Sequence, residues 1–190
     1  HIKCDSGEIL TDPLLKGHIY IKGLLITNRS NLSYGYNFNP NMIKVGRDRN
    51  IVSGSDLQAA SSKLWLQELS NGFNHYDAVY AMLESKSNDI SNIWEWEFPR
   101  DFKDFVSDKY EGKFVIAHDS DKKAIRDTFG DVETTIVPYI IKEMIHSKSL
   151  SMGVPIRVKS TKDLLREFIK RNTDLTTSHI KVLEFIIKGD

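Results

Sequence analysis

The sequence predicts a mixed α/β (α+β) chain, with an N-terminal sheet and packed helices followed by a small α/β unit and C-terminal helices. Three observations carry this. Residues 18–27 and 32–38 are rich in β-branched and aromatic residues and partly alternate with period two. From Ser55 the apolar residues change to helical spacing. Beyond Gly112, strand-like and helix-like runs alternate over about 35 residues, the mark of a small parallel α/β unit.

Taken in order, His18–Thr27 (HIYIKGLLIT) reads as one strand. Asn28-Arg29-Ser30-Asn31 supplies turn chemistry, and Leu32–Phe38 reads as a second strand that would form a hairpin with the first. Pro40 ends it, because proline has no N–H to give a ladder. Leu57, Ala60, Leu64 and Leu69, with Trp65 alongside, predict a helix over 55–70 with Ser55 as its N-cap. Val79, Tyr80 and Leu83 place a second helix over 76–83, followed by a polar loop through Ile90. Trp94-Glu95-Trp96-Glu97-Phe98 alternates aromatic and acidic residues and reads as a half-buried edge strand or packing loop. Pro99 opens a short helix containing Phe102, Phe105 and Val106. Strands are expected at 113–117 and 134–137, and helices at 121–129, 139–145, 162–169 and 178–187, the last two with Thr161 and Thr177 as candidate caps. The division falls near residue 110, giving segments 1–109 and 110–190.

Composition narrows the function classes. The 190 residues carry 26 Lys+Arg against 26 Asp+Glu, and the resulting pI near 7.2 gives no basic footprint for nucleic acid. Apolar runs such as 136–141 fall far short of the roughly 20 residues a membrane helix needs. With Cys4 as the single cysteine there is no internal disulfide and no cysteine-rich zinc module, which points to the cytoplasm. Neither a first Met nor a signal peptide is present, and the final helix pattern runs to Ile187, so the chain reads as a piece of a longer protein.

Several constellations bear on chemistry. Neither Gly-x-x-x-x-Gly-Lys-Ser/Thr nor Gly-x-Gly-x-x-Gly occurs, so an autonomous nucleotide site of either type is not expected. No Gly-x-Ser-x-Gly elbow occurs, and Cys4 lies near the chain end. His118, Asp119 and Asp121, after a predicted strand, form the best metal-type cluster, as in a small Mg²⁺-dependent hydrolase or nuclease. The plainer account makes Asp119 or Ser120 a helix cap. Tyr34, Tyr36, Trp94 and Trp96 are aromatics that a stand-alone interaction module would present to a protein partner. Glu95 and Glu97 argue against stacking on nucleic acid there, since they would repel phosphates.

The most unusual local chemistry is Lys44-Val45-Gly46-Arg47-Asp48-Arg49-Asn50, between a predicted strand and a capped helix. Guanidinium forks match phosphate oxygens two at a time, so Arg47 and Arg49 are the candidate site residues. The alternative is a surface salt-bridge cluster in which Asp48 neutralises both arginines.

The order Ile19-Tyr20-Ile21-Lys22-Gly23-Leu24-Leu25-Ile26, then the Tyr34-Gly35-Tyr36 strand, then Lys44–Arg49, then a helix, resembles the segment that follows the nucleotide domain in GHKL ATPases. It is similar to the start of the middle domain of the ninety-kilodalton heat-shock chaperones, and more so to bacterial or phage GHKL-type proteins. The resemblance spans roughly residues 17–65; Gly46 stands where the chaperone loop has serine, and Lys44 where it has asparagine. It implies a transducer segment of an ATPase whose loop arginine, Arg47 with Arg49 as the second choice, reaches the γ-phosphate. ATP and Mg²⁺ would then be held only by an upstream nucleotide-binding domain, with Gly7–Pro13 as the connection from it. Partners implied are that domain and a protein partner or second copy, with no membrane.

Overall fold

The computed structural model of the protein describes residues 1–43, 53–72, 75–146, 161–172 and 175–188. Its strands are β1 Ile2–Cys4, β2 Gly7–Leu10, β3 His18–Ile21, β4 Leu24–Asn28, β5 Gly35–Phe38, β6 Phe114–Ile116 and β7 Thr134–Ile136. Its α-helices are α1 Gly54–Asn71, α2 Tyr76–Glu84, α3 Arg100–Asp108, α4 Asp121–Phe129, α5 Tyr139–His146, α6 Thr161–Arg171 and α7 Thr177–Lys188. The fold is mixed α/β, as the two periodicities require. Packing divides it into two units: residues 1–106 with α5, and residues 107–136 with α6 and α7.

The first unit is built on a five-stranded sheet in the order β1-β2-β5-β3-β4. Two local hairpins, β1–β2 and β3–β4, flank β5, which pairs antiparallel with β2 and parallel with β3. The expected single strand over 18–27 is therefore corrected to two strands. Lys22 and Gly23 both take positive φ, 49° and 78°, the pair of left-handed residues that a tight two-residue hairpin turn demands. The expected hairpin between 18–27 and 32–38 does not form either, because β5 is seated between the two hairpins instead. Gly7–Leu10, expected as a connection, is an interior strand of the sheet.

Period-two alternation puts Tyr36 and Phe38 on one face of β5, where their rings stack at 5.4 Å. Both are fully buried, with Ile9 and Ile19 from the neighbouring strands and Leu57, Leu64, Trp65 and Leu69 from α1. Helix α1 is tied to the β1–β2 hairpin by Cys4 Sγ donating to the Leu64 carbonyl at 3.5 Å. Gln67 adds a second tie, accepting from the Ser6 amide at 3.2 Å. Its cap is Ser53 rather than Ser55: the Ser53 hydroxyl accepts from the Asp56 amide at 3.0 Å, and Ser55 already lies inside the helix.

An aromatic cluster of Tyr76, Phe98, Phe102 and Phe105 fixes the start of α2 to α3. The Trp94–Phe98 stretch is not a strand, since Glu95–Glu97 makes one turn of 3-10 helix. Helix α5 lies against that turn and contributes the buried Ile141, Met144 and Ile145.

In the second unit β6 and β7 pair parallel, with α4 between them in sequence. Parallel neighbours need such a crossover. Phe114, Ile116 and Ile125 make its small core, with Val132 packed alongside. Helices α6 and α7 pack on each other. The cap of α7 is Thr176, whose hydroxyl accepts from the His179 amide at 3.3 Å, not Thr177, which begins the helix. Among the described residues no helix is long and apolar enough to cross a membrane.

Candidate functional site

The strand β5 and the helix α1 bracket the arginine-bearing stretch, and both are anchored by one buried polar network. Asp89 has no exposed surface. Its carboxylate accepts from the Ser33 amide at 2.7 Å, the Tyr34 amide at 3.2 Å and the Ser87 hydroxyl at 2.5 Å. The Tyr36 hydroxyl donates to the same carboxylate and accepts from Trp65 Nε1 at 2.9 Å. Residue 89 on a turn, residue 36 on β5 and residue 65 on α1 thus share one chain of hydrogen bonds. The turn is also sewn to α1 by Ser62, which donates to the Asp89 carbonyl at 3.4 Å, and by Gln58, which donates to Asn88 at 3.1 Å.

Four donors occupy this carboxylate, and its burial is tolerable only because they are there. Burial first, and the Asp89 charge second, push the Tyr36 hydroxyl well above its ordinary range. Asp89 and Tyr36 are therefore a positioning network rather than reacting groups. Tyr36, offered by the sequence as a partner-facing aromatic, is fully buried. Tyr34 is half-buried and meets Trp65 edge-on at 5.0 Å. Sequence reasoning missed Asp89, which sits in a polar run read as a loop; the Ser-x-Asp spacing at 87–89 is a local signal of a capped turn.

Arg47 and Arg49, the predicted site residues, lie outside the described residues, as does the whole of 44–52. Their immediate supports are described. Ile43, where the chain enters the stretch, is 3% exposed. Where the chain leaves it, Ser53 caps α1 and Leu57 is buried in the first turn beyond.

The structure does not assemble the other predicted constellations. Asp119 pairs with Lys122 at 2.7 Å, and the Ser120 side chain makes no cap bond at the start of α4. No group of three His, Cys, Asp or Glu suited to a metal ion occurs among the described residues. The Cys4 thiol is pushed up to about 11 by burial, with the Glu68 and Asp5 charges adding to it, so at neutral pH it stays protonated and a poor nucleophile. Glu68 also accepts from His75 Nδ1 at 2.5 Å, which joins α1 to the start of α2.

Among the described residues, the first unit has two concave surfaces that bear on function. A cleft of about 350 Å³ is lined by Leu10, Asp12, Lys16, Ser33, Tyr34 and Met82. Asp12 there is already engaged, accepting from the Leu14 amide at 2.9 Å. A second groove of about 340 Å³ runs between the α2 end and the α5 start. Directly after Ile93, which lines this groove, Trp94 and Trp96 are the exposed aromatics that the sequence singled out, 59% and 64% accessible and stacked on each other at 5.1 Å.

Comparison with known protein families, with curated proteins and with solved structures gives no match for this chain.

Proposed function

We propose that this chain is the transducer, or middle, segment of a GHKL-type ATPase of the cytoplasm. It would donate Arg47, with Arg49 as the second candidate, to the γ-phosphate of ATP–Mg²⁺ held by an upstream nucleotide-binding domain, and couple turnover to partner contacts. The resemblance over residues 17–65 motivates the reading. One structural observation supports it: the arginine-bearing stretch follows the buried Ile43, a few residues beyond the sheet strand β5, and precedes a helix capped at Ser53. Anchored flanks limit how far the chain between them can stray, which lowers the entropic cost of bringing guanidinium groups to a ligand.

The test is ATP turnover in the full-length protein. Arg47→Ala is expected to lower kcat on the order of 10²-fold while leaving nucleotide affinity nearly unchanged, because such a donor acts on charge developed in the transition state. Arg49→Ala is the internal comparison and shows which arginine holds the role. Turnover unchanged in both variants overturns the proposal and leaves a salt-bridge cluster around Asp48. A second reading, an interaction module in its own right, is favoured by the exposed Trp94–Trp96 stack.

A further inference from the structure

We infer that the surface formed by Trp94, Trp96 and Tyr139 with its adjoining groove is a docking site for a partner-protein segment that carries a lysine or arginine next to a bulky aliphatic side chain. The inference rests on the second reading above and is independent of the ATPase reading. Four observations carry it.

The two tryptophans are exposed but not loose. They sit on a single 3-10 turn between buried Ile93 and buried Phe98, and the Trp94 amide donates to Glu97 at 2.6 Å. Their rings are stacked within 5° of parallel. Large rings held rigidly in water lose little conformational freedom on binding, which is why Trp and Tyr dominate interface anchors.

Tyr139, at the first turn of α5, extends the same surface and is 62% exposed. It shares a wall of the groove with Met82, Leu83, Ile90, Ile93 and Ile140. An apolar slot of about 340 Å³ takes one or two aliphatic side chains, and Ile93, which lines it, directly precedes Trp94.

The charge around the rings is acidic. Glu95 and Glu97 belong to the tryptophan turn, and Glu143 lies one turn along α5 from Tyr139. The two charges that act on the Tyr139 hydroxyl are both carboxylates, Glu143 and Glu95. Lys86 lines the groove on the α2 side, and Lys142 acts on His146 further along α5. Aromatic faces flanked by carboxylates attract cations by quadrupole and charge together.

The occupant therefore needs both parts: an aliphatic side chain for the slot, and a cation for the tryptophan and glutamate side. An acidic or wholly apolar segment meets only half of the surface, and nucleic acid meets like charge.

The experiment pans a random dodecapeptide phage library on the full 190-residue chain, with the Trp94→Ala/Trp96→Ala chain for counter-selection. Surviving peptides are expected to share Lys or Arg within a few residues of Leu, Ile or Val. A synthetic peptide of that consensus should bind at least about 10-fold more weakly to the double variant. Glu95→Gln/Glu143→Gln should weaken it about 3-fold or more, as should raising salt from about 50 to about 500 mM. Trp65, buried and outside the surface, reports by near-ultraviolet circular dichroism that each variant is folded. Trp96→Lys, at an exposed position, gives the same answer by setting a positive charge against the peptide's cation should the double variant misfold. Survivors without positive charge overturn the stated chemistry while leaving an interaction surface in place. No survivors overturn both. Concentration-dependent self-association abolished by Trp96→Lys assigns the surface to a second copy of the chain and overturns the heterologous partner.

Discussion

At residue 36 one hydroxyl joins three elements, and its chemistry makes a quantitative prediction. Tyr36 donates to Asp89 and accepts from Trp65, so Tyr36→Phe removes two bonds and leaves a buried indole N–H and a buried carboxylate each short of a partner. The expected loss is about 1–3 kcal/mol in urea unfolding at neutral pH, with Asp89→Ala costing more because three further donors lose their acceptor. The pH dependence follows from the raised folded-state value of Tyr36. The unfolded phenol titrates near the ordinary tyrosine value of 10.0 while the folded one stays protonated, so the native state binds more protons above that pH. Its stabilising contribution is complete below the unfolded value and is lost as pH rises toward the folded one. Unfolding curves at neutral and at strongly alkaline pH should therefore converge in Tyr36→Phe relative to the wild type; a parallel decline would show that other groups set the alkaline limit. Asp89 itself was illegible in the sequence. A buried aspartate and a solvated one look alike within Ser87-Asn88-Asp89, because what separates them is donors from residues 33, 34 and 36.

Helices were the readable elements, and the reason is length. Asp121–Phe129 has the bounds that its apolar spacing predicts, and Tyr76–Glu84 differs by one residue. Strands β1 and β2, of three and four residues and containing Cys4, Gly7 and Glu8, are too short for a period-two pattern to register. The β3–β4 turn was hidden for the opposite reason: Lys22-Gly23 interrupts an apolar run without the Asn-Gly signature. Of the candidate site, Trp94 and Trp96 were legible as unusual aromatics, while the groove depends on Pro138–Ile140 meeting Ile93 and the residues before it, 45 or more positions earlier, which no local pattern encodes. Caps test these assignments at the element scale. Ser53→Ala should cost about 1 kcal/mol, because the first turn of α1 loses its acceptor. Ser55→Ala, at a position already helical, should cost much less. Thermal unfolding of the two variants decides which serine begins the helix; equal losses would mean that neither hydroxyl acts as the cap.

At the scale of the whole molecule, each unit has its own core: Ile9, Tyr36, Phe38, Leu64 and Trp65 in the first, and Phe114, Ile116 and Ile125 in the second. The first owes its continuity to β5. Gly35, the first residue of that strand, has the Leu15 carbonyl where a Cβ would sit, 2.3 Å away, so only glycine allows the backbones to approach there. This arrangement has a kinetic consequence. The hairpins β1–β2 and β3–β4 close over a few residues each, and such local closures take on the order of microseconds. Neither hairpin hydrogen-bonds to the other; β5 alone joins them, and it follows both in sequence. The sheet is therefore expected to form from two early pieces and one late clasp, with the insertion of Gly35–Phe38 between the hairpins as the slow event. Gly35→Ala should slow refolding in stopped-flow measurements, whereas Leu25→Ala on the edge strand β4 should leave the refolding rate close to that of the wild type. Until the clasp closes, two facing strand edges stand unpaired, and in that interval the chain is exposed to capture by the β5 of another molecule.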